Sequence, residues 1–575
     1  MNSAQNKNTF PLGLMLFVLI LVIYKAAMLA AGMMLDWQEF LILAGLDSFY
    51  IALLLLIAIF HGFAEPGMLR ATLRLTLVLM TFFYLVDSFV ILMLDEHASL
   101  FDIARYSMEP GAFLSFFNVR AYSAILLFLV SVIIVCEFTP AVKKSGTILL
   151  LVMLLTGGFC EVYTPQPLAR YSMLGAVSLL EDFRSQEVVS SYSAEQIEFY
   201  AGQEREAASI PSTKPDIILL VIESLSSINS KKVSGLAGFL DGFDTLAEEG
   251  LLFRNFFANH QASEGGLIAL LGGFPPIHFP TATPYMFDEF AIQPSVLAEY
   301  RQQGYFTDFL TSSDLRFIGM NRYLDGLGLD RSRGRDEIDA MKTAPRIVQN
   351  APSDALLYDE ALLTIQQLSS AQKPFLLTIA TTSTHLPYTH PGEGPDTPEA
   401  VWEWSMQELA EFYRELSASG YFEHGILLIT GDHRQMLPLN GTETERYGGS
   451  ARARVPLLVI GKDYPRDEID ERFFQQADLL RMLGEIQQPE ARLSPQPIWV
   501  ERYNRKYGRI ELIDSLSVFD EAGLGRHEYR LKASGNRIEW LGERPGFARR
   551  VENRIHVQRS LHQQVRSLAN GQEAN

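Results

Sequence analysis

The chain has 575 residues, of which 48% are hydrophobic, and a formal net charge of −19. So acidic a chain lacks the basic surface that attracts nucleic-acid phosphates, and we expect no nucleic-acid partner. The two cysteines, Cys136 and Cys160, both end apolar runs and lack the spacing of a zinc site, so we expect no disulfide framework in the soluble part. Hydrophobic residues dominate roughly the first 160 positions and most charged residues follow, which predicts a membrane anchor ahead of a soluble body.

Five apolar runs lie in this first part, each close to the roughly 17 to 25 residues that a helix needs to cross hydrocarbon. We therefore interpret residues 1–163 as a transmembrane anchor of five helices. The runs cover residues 10–35, 40–63, 72–94, 121–138 and 146–162. A cleaved signal peptide is the alternative for the first run, but that run is too long for a signal core and has no basic start beyond Lys7.

The short loops between the runs indicate how the anchor is oriented. Arg70 and Arg74 lie between the second and third runs, and the loop after the first run carries only acidic charges. Lys143 and Lys144 lie between the fourth and fifth runs. Basic loops stay in the cytoplasm, so five spans from a cytoplasmic N-terminus place everything after Cys160 outside it.

Three charged residues fall within the predicted spans: Lys25, Asp47 and Asp87. Ionisable groups in hydrocarbon are costly, and these three lie at similar depths below the outer ends of their helices. One hypothesis is a polar cluster that holds the first three spans together. The alternative is that each side chain reaches toward the interface or lies near the end of its span.

After a polar connector, residues 164–214, the chain alternates short apolar runs with helical patterns over residues 215–500. The runs are DIILLVIES, LFRNFFAN, FTDFL, FLLTIATTS, GILLITGDH and VPLLVIG. This alternation predicts an α/β domain with a largely parallel central sheet. Polar residues close three of the runs: Glu223 and Ser224, Thr384 and His385, and Asp432 and His433. Since ligands bind beyond the carboxyl ends of such strands, we expect these side chains to converge.

Four motifs stand in this half: VIESLSS around Glu223, ASEGGLIALLGGFP from Ala262 to Pro275, TTSTHLP around His385 and TGDHRQM around Asp432. They resemble the core blocks of the alkaline phosphatase and sulfatase superfamily, and most closely its branch of lipoteichoic acid synthases and phosphoglycerol transferases. The resemblance covers about residues 215–465, and the predicted five-helix anchor agrees with it. It implies an α/β sulfatase-like domain on the extracytoplasmic side of a bacterial cytoplasmic (inner) membrane.

The resemblance also implies roles for particular residues. Glu223, Ser263, Asp432 and His433 would hold one divalent metal ion, Ser263 would be the nucleophile, and His385 would bind phosphate or donate a proton. Two carboxylates and an imidazole suit Mn²⁺ or Zn²⁺, and Mg²⁺ less well. A serine hydroxyl is a weak nucleophile until a cation or base activates it, and a helix that begins at Ser263 would direct N–H groups at phosphate.

Each of these residues has a structural alternative. Ser263 could be a helix N-cap, Glu223 a solvated strand end and His385 a hydrogen-bonded core histidine. The order of the motifs favours the functional interpretation over these alternatives.

The sequence departs from its relatives at three points. The synthases usually have Thr where this chain has Ser263, which weakens any inference about substrate. Formylglycine sulfatases need x-Pro-x-Arg after the modified residue, and Glu-Gly-Gly-Leu follows Ser263 here, which disfavours sulfate ester hydrolysis. Two-metal relatives often have a histidine where this chain has Arg452 and Arg454, so a single metal is expected.

Two further regions receive weaker predictions. Arg316 and Arg322 could contact an anionic headgroup, although surface charge is the more usual explanation for such residues. Residues 501–575 form a C-terminal extension in which HEYRLKASGNRIEWLG predicts a β-hairpin with its turn near residues 534–536.

These observations favour transfer of phosphoglycerol from a phosphatidylglycerol donor to an extracytoplasmic glycan or lipid acceptor, through a covalent intermediate on Ser263. A phosphoethanolamine transferase, a phosphodiesterase or a phosphatase would have the same metal core. A catalytically inactive membrane scaffold is a further alternative, but its ligand residues should have been lost.

Overall fold

The computed structural model describes residues 48–94, 207–236, 238–276, 286–290, 295–436, 439, 441–494, 498–503, 514–519, 526–531, 538–541, 548–549, 551–553 and 556. The first, fourth and fifth apolar runs lie outside these residues. So do Lys25, Asp47, Lys143 and Lys144, on which the predicted polar cluster and orientation depend.

Two N-terminal helices are described, α1 (Ser48–Phe63) and α2 (Met68–Leu94). They pack on each other: Tyr50 of α1 stacks on Tyr84 at 5.7 Å and donates a hydrogen bond to the Met80 carbonyl at 2.8 Å. Asp87 is buried in α2. Neither helix, nor any other in the part of the chain that the structure describes, has the combination of length and hydrophobicity required to cross a membrane.

Arg70 and Arg74, expected in a loop, lie in the first two turns of α2. The break between the two helices comes earlier, because Pro66 and Gly67 interrupt the helical pattern before Met68.

The soluble domain is built on an eight-stranded sheet with the order β5-β4-β6-β1-β7-β8-β2-β9. Its strands are β1 (Asp216–Ile222), β2 (Leu251–Phe253), β4 (Phe306–Thr311), β5 (Arg331–Arg333), β6 (Phe375–Ala380), β7 (Gly425–Gly431), β8 (Leu457–Ile460) and β9 (Glu468–Asp470). The pairs of β1 with β6 and β7, of β4 with β5 and β6, and of β2 with β9 are parallel. Only β8 runs antiparallel to its neighbours β7 and β2. The predicted, largely parallel sheet is confirmed.

Helices cover both faces of the sheet, which is why its central strands are continuous hydrophobic runs. Alternate residues of β1 enter two separate cores, with Ile217 and Leu219 in one and Ile218 and Leu220 in the other. The helices are α3 (Lys231–Ser234), α4 (Asp241–Leu246), α5 (Ser263–Gly272), α6 (Met286–Phe290), α7 (Val296–Gln302), α8 (Met320–Leu327), α9 (Asp339–Lys342), α10 (Asp354–Ser370), α11 (Pro398–Ala418), α12 (Gly441–Tyr447) and α13 (Gln476–Leu479).

The run LFRNFFAN, predicted as one strand, forms two. It leaves the main sheet after Phe253, and β3 (Phe256–Phe257) pairs instead with β10 (Phe474–Gln475). The break occurs at Arg254 and Asn255, because the Arg254 N–H donates to Asp470 while the Asn255 carbonyl accepts from β10.

The C-terminal region contains a four-stranded antiparallel sheet with the order β11-β12-β13-β14. Its strands are β11 (Ile498–Tyr503), β12 (Asp514–Phe519), β13 (Arg526–Leu531) and β14 (Ile538–Leu541). The predicted hairpin is β13 with β14, whose pairing closes at Leu531 and Ile538. At its other edge, Ile498 of β11 packs against Phe257 and Ala453 of the catalytic domain.

The end of the predicted connector is already bound to the domain. The Ala208 N–H donates to the Glu299 carboxylate at 2.7 Å, and the Ser209 hydroxyl donates to Glu485 at 2.6 Å. The boundary at residue 214 and the other predicted domain limits stay predictions.

Candidate active site

Three predicted metal ligands meet at the carboxyl ends of two neighbouring strands. Glu223 follows β1, and Asp432 and His433 follow β7. All three are buried, and one ligand atom from each lies within 4.8 Å of the others. Among the residues that the structure describes, these three form the group of acidic and histidine side chains that could hold a metal ion.

Ser263 joins these residues as the first residue of α5. Its Oγ lies 3.2 Å from Oε2 of Glu223 and 3.2 Å from Nε2 of His433. The residue is half-buried, so part of it is accessible to solvent. The free N–H groups in the first turn of a helix that begins at Ser263 favour a bound anion.

Two glycines let α5 approach the ligands this closely. A Cβ at Gly266 would lie 2.2 Å from the carbonyl oxygen of Asp432, and one at Gly265 would lie 2.1 Å from the His260 ring. A larger residue at either position would move Ser263 away from the cluster. The Gly-rich stretch after Ser263 is thus explained by close packing.

The backbone around Glu223 is fixed by its neighbours. The Glu223 N–H donates to the Thr381 hydroxyl at 3.0 Å, and the Thr384 hydroxyl donates to the Glu223 carbonyl at 2.6 Å. Ser224 adopts a left-handed conformation with φ of 60°, and its N–H donates to Oδ1 of Asp432 at 2.8 Å. A strained residue held beside a ligand indicates a site maintained for function.

The electrostatics of the cluster are those of a cation site. Burial, together with the negative charge of Glu223, raises the pKa of Asp432 to about 7. Burial acts against protonation of His433, but the charges of Asp432 and Glu223 outweigh it and raise its pKa. Two buried carboxylates that repel each other would be relieved by a bound cation.

The orientation of His433 also fits a metal ligand. Its Nδ1–H donates to the Arg434 carbonyl at 2.7 Å, which leaves the lone pair on Nε2 facing Ser263 and the carboxylates. The residues present therefore fit a single divalent ion with mixed oxygen and nitrogen ligands.

His385 lies on the loop that follows β6. A buried carboxylate organises this loop: Asp354 accepts hydrogen bonds from the N–H groups of Thr382 and Ser383, at 2.7 to 3.1 Å, and from the Ser312 hydroxyl at 2.9 Å. The loop is thereby tied to the start of α10 and to the end of β4. Thr384, next to His385, is the residue that donates to Glu223.

The imidazole of His385 is neutral at physiological pH. Removal of water from around the ring, with the nearby charge of His433, lowers the pKa of His385 to about 4. Its Nδ1 lies 2.5 Å from the Leu386 carbonyl, which places the proton on that nitrogen, and 3.3 Å from the Gln349 amide. The basic nitrogen is then Nε2.

The two arginines predicted to contact a headgroup are both held in ion pairs with aspartates. Arg316 is exposed and forms ion pairs with Asp314 and Asp336, and Arg322 forms a two-bond ion pair with Asp288 at 2.7 and 2.9 Å. These bonds are to aspartates outside the ligand cluster, so a role in headgroup binding stays a prediction.

Arg454, one of the two arginines noted where two-metal relatives often have a histidine, has a packing role. Its guanidinium lies 4.8 Å from the ring of Phe257 and 4.5 Å from that of Tyr447, and it donates to Asn255 at 2.9 Å. These ring contacts and the hydrogen bond stabilise a buried arginine.

Sequence reasoning predicted Ser224 at the site but missed three residues that hold the ligands in place: Thr381, Asp354 and Gln476. Gln476 donates to the Asp432 carbonyl at 2.8 Å from a helix 44 residues away. Thr381 lies within the motif TTSTHLP and could have been suspected. Asp354 and Gln476 occur in segments without a motif.

Comparison with known proteins agrees with this geometry. The sulfatase family model matches residues 215–485, the segment that contains all of the converging residues. Phosphoglycerol transferase I of Escherichia coli (strain 55989 / EAEC) is 24% identical over 320 residues, which are 52% of this chain and 41% of that protein. Phosphoglycerol transferase I of Xanthomonas axonopodis pv. citri (strain 306) is 27% identical over 273 residues, 44% of this chain and 38% of that protein.

Among solved structures, the lipoteichoic acid synthase LtaP from Listeria monocytogenes aligns with a TM-score of 0.44 and 16% identity, over 66% of this chain and 98% of that one. The chain spans about two fifths of the length of the two transferases named above. The sulfatase family model over residues 215–485 and the similarity to these transferases support the predicted resemblance to the alkaline phosphatase and sulfatase superfamily, in the branch of the phosphoglycerol transferases and lipoteichoic acid synthases.

Proposed function

We propose that this protein is a membrane-bound, metal-dependent transferase that moves phosphoglycerol from phosphatidylglycerol to an extracytoplasmic glycan or lipid acceptor. The observation that carries the proposal is the position of the Ser263 hydroxyl, 3.2 Å from both Glu223 and His433 at the start of a helix. The similarity to two phosphoglycerol transferases supports the choice of headgroup.

Glu223, Asp432 and His433, with the Ser263 oxygen, would hold one divalent ion, for which Mn²⁺ is our first choice and Zn²⁺ or Mg²⁺ the alternatives. A bound cation would lower the pKa of the serine hydroxyl and offset negative charge on phosphate. The remaining contributions come from the chain. The start of α5 binds the phosphate oxygens, and the buried ligand loops keep Ser263 in place for attack.

The reaction has two halves. In the first, the Ser263 oxygen gives its proton to Nε2 of His385 and bonds to phosphorus, while the bond from phosphorus to the diacylglycerol oxygen breaks and that oxygen takes the proton from His385. In the second, an acceptor hydroxyl gives its proton to Nε2 of His385 and bonds to phosphorus. The bond from phosphorus to the Ser263 oxygen breaks, and that oxygen takes the proton back from His385. Burial lowers the pKa of His385 to about 4, which leaves Nε2 unprotonated before each half and makes the protonated ring a ready proton donor to the leaving oxygen.

The sharpest test uses the full-length chain in detergent with Mn²⁺ and labelled phosphatidylglycerol, without an acceptor. We expect mass spectrometry to find glycerol phosphate on the peptide that contains Ser263, with an equal amount of diacylglycerol released. An ethanolamine phosphate adduct from mixed phospholipids would identify the phosphoethanolamine alternative. Rapid release of free glycerol phosphate would indicate a phosphodiesterase.

Variants of Ser263 separate chemistry from folding. Ser263→Ala should lose the adduct and turnover while the melting temperature changes little, because a serine at a helix start contributes only about 1 kcal/mol. Ser263→Thr keeps a hydroxyl and should retain part of the rate, since the related synthases use threonine. A fully active Ser263→Ala protein would refute the covalent intermediate.

The anchor and its orientation need a separate experiment. A periplasm-dependent reporter fused after Ser185 should be active, and a cytoplasm-dependent reporter fused at Lys144 should also be active. Cytoplasmic activity of a fusion after Ser185 would overturn the proposed five-span topology in the inner membrane.

A further inference from the structure

A chain of buried amide side chains connects the metal-ligand turn to the C-terminal sheet. It begins at Gln476, the first residue of α13, which is fully buried. The amide nitrogen of Gln476 donates to the carbonyl oxygens of Gly431 at 2.7 Å and Asp432 at 2.8 Å. These carbonyls immediately precede His433, so one side chain holds the backbone from which both ligands of β7 extend.

The orientation of this amide is fixed from its other side. The Asn259 N–H donates to the Gln476 oxygen at 3.1 Å, and the Asn259 oxygen accepts from the Ala477 N–H at 2.8 Å. A flipped Gln476 amide would place its oxygen against two carbonyls and its nitrogen against an N–H. The hydrogen-bond pattern therefore permits one orientation.

Strand β11 closes the network. The Asn259 amide nitrogen donates to the Trp499 carbonyl at 2.6 Å and to the Gln475 oxygen at 2.9 Å. The Trp499 N–H donates to the same Gln475 oxygen at 3.0 Å. The carbonyl and the N–H of Trp499 thus hold the side chains of Asn259 and Gln475 in place.

Close packing transmits the position of this network to the nucleophile. The Asp432 carbonyl that accepts from Gln476 is also the atom against which Gly266 of α5 packs, with room for no Cβ. A displacement of the ligand turn would change its distance to Ser263, two residues before Gly265 on the same helix.

We propose that Gln476 is a positioning residue for the metal ligands Asp432 and His433, and that strand β11 keeps it in place through Asn259 and Gln475. This gives the first strand of the C-terminal sheet a role in the metal site. The inference rests on the proposed metal-dependent function, since it concerns the residues that hold the ion.

The test compares two full-length variants for Mn²⁺ binding by calorimetry and for thermal stability without metal. Gln476→Met keeps the size of the side chain and removes its donors. Tyr421→Phe is the matched control: the Tyr421 hydroxyl lies 3.0 Å from the carbonyls of Asp216 and Ile426, at the opposite ends of β1 and β7. Both variants should lose stability. Only Gln476→Met should also weaken Mn²⁺ binding, by about 10- to 100-fold, as is usual for partners of ligand residues.

Hydrogen exchange of the wild-type chain gives a second measurement that needs no variant. Mn²⁺ should slow exchange of the Ala477 and Trp499 amides and leave the Phe306 amide, which bonds to Pro374 at 2.8 Å, unchanged. Wild-type protein could bind Mn²⁺ without any change in exchange at the Ala477 and Trp499 amides, and Gln476→Met could bind Mn²⁺ as tightly as wild type. That combined result would show that this inference alone is wrong. If wild-type protein binds no divalent ion, the proposed metal site and this inference both fail.

Discussion

Two buried carboxylates in the same sheet have opposite surroundings. Asp308 in β4 is paired with Arg331 at 2.6 Å and with Arg333 at 3.3 Å. Asp432, equally buried after β7, faces a second carboxylate, Glu223, and a histidine. The charge of Asp308 is balanced by arginines of the chain itself, which suits a structural role. The charges of Asp432 and Glu223 repel each other, which suits a site for a bound cation.

The comparison predicts that removing charge from the two regions has different consequences. Glu223→Ala should reduce turnover by about 10³-fold or more and lower metal content measured by elemental analysis, because the ion loses a ligand. Glu360→Ala, which removes the carboxylate that Arg333 bonds at 2.6 Å, is the control and should retain metal. Normal metal content in Glu223→Ala would show that the site is elsewhere.

Asp308→Ala should destabilise the protein without affecting the metal site. It removes the carboxylate that Arg331 bonds at 2.6 Å and one of the two carboxylates that Arg333 bonds, so the free energy of unfolding should fall by about 3 kcal/mol. Chemical unfolding measures this change, and Mn²⁺ calorimetry below the unfolding transition should give the wild-type affinity. A parallel loss of Mn²⁺ affinity would mean that the two regions are coupled.

Asp432→Asn should do the reverse and stabilise the metal-free protein. Because folding raises the pKa of Asp432 from 3.8 to about 7, the folded state holds its proton more tightly, and wild-type stability falls as pH rises through this window. The advantage of the variant should grow from about pH 4 to pH 7, reach on the order of 4 kcal/mol, and stay constant above that. A pH-independent difference in melting temperature would contradict the raised pKa.

The smallest effect is expected at the exposed ion pairs. Arg316→Ala should leave the free energy of unfolding nearly unchanged, since ion pairs in water contribute little. If Arg316 also contacts the donor headgroup, KM for phosphatidylglycerol will rise in this variant. An unchanged KM would remove Arg316 from the predicted substrate site.

The sequence predicted the part of the site that depends on local order along the chain. Strand ends of a parallel sheet meet at one edge, so Glu223, Asp432 and His433 could be placed together, and the confirmed helix start brought Ser263 to them. Apolar runs also identified the central strands. The amino-acid composition was otherwise used to predict the membrane anchor. Most of that anchor lies outside the described residues.

What the sequence did not predict depends on long-range pairing. The network of Gln476 and Asn259 joins segments 217 residues apart through buried amides that carry no periodic signal. The antiparallel direction of β8 and the departure of β3 from the main sheet depend on which strands pair. A hydrophobic run predicts a strand but not its partner or its direction. Strands β11 and β12 were not predicted because we recognised no turn motif in the sequence between them.

The antiparallel direction of β8 has an evolutionary consequence. Thr430 near the end of β7 pairs with Leu457 at the start of β8, so the intervening segment leaves and returns at the edge where the ligands lie. It is anchored near its start by the buried pair of Arg434 and Glu443, at 2.6 Å. Within it, Thr444, Glu445 and Arg446 are exposed, whereas Ala453 and Arg454 pack against the domain. Replacements at the exposed positions can therefore change the surface at this edge of the sheet without altering strand register.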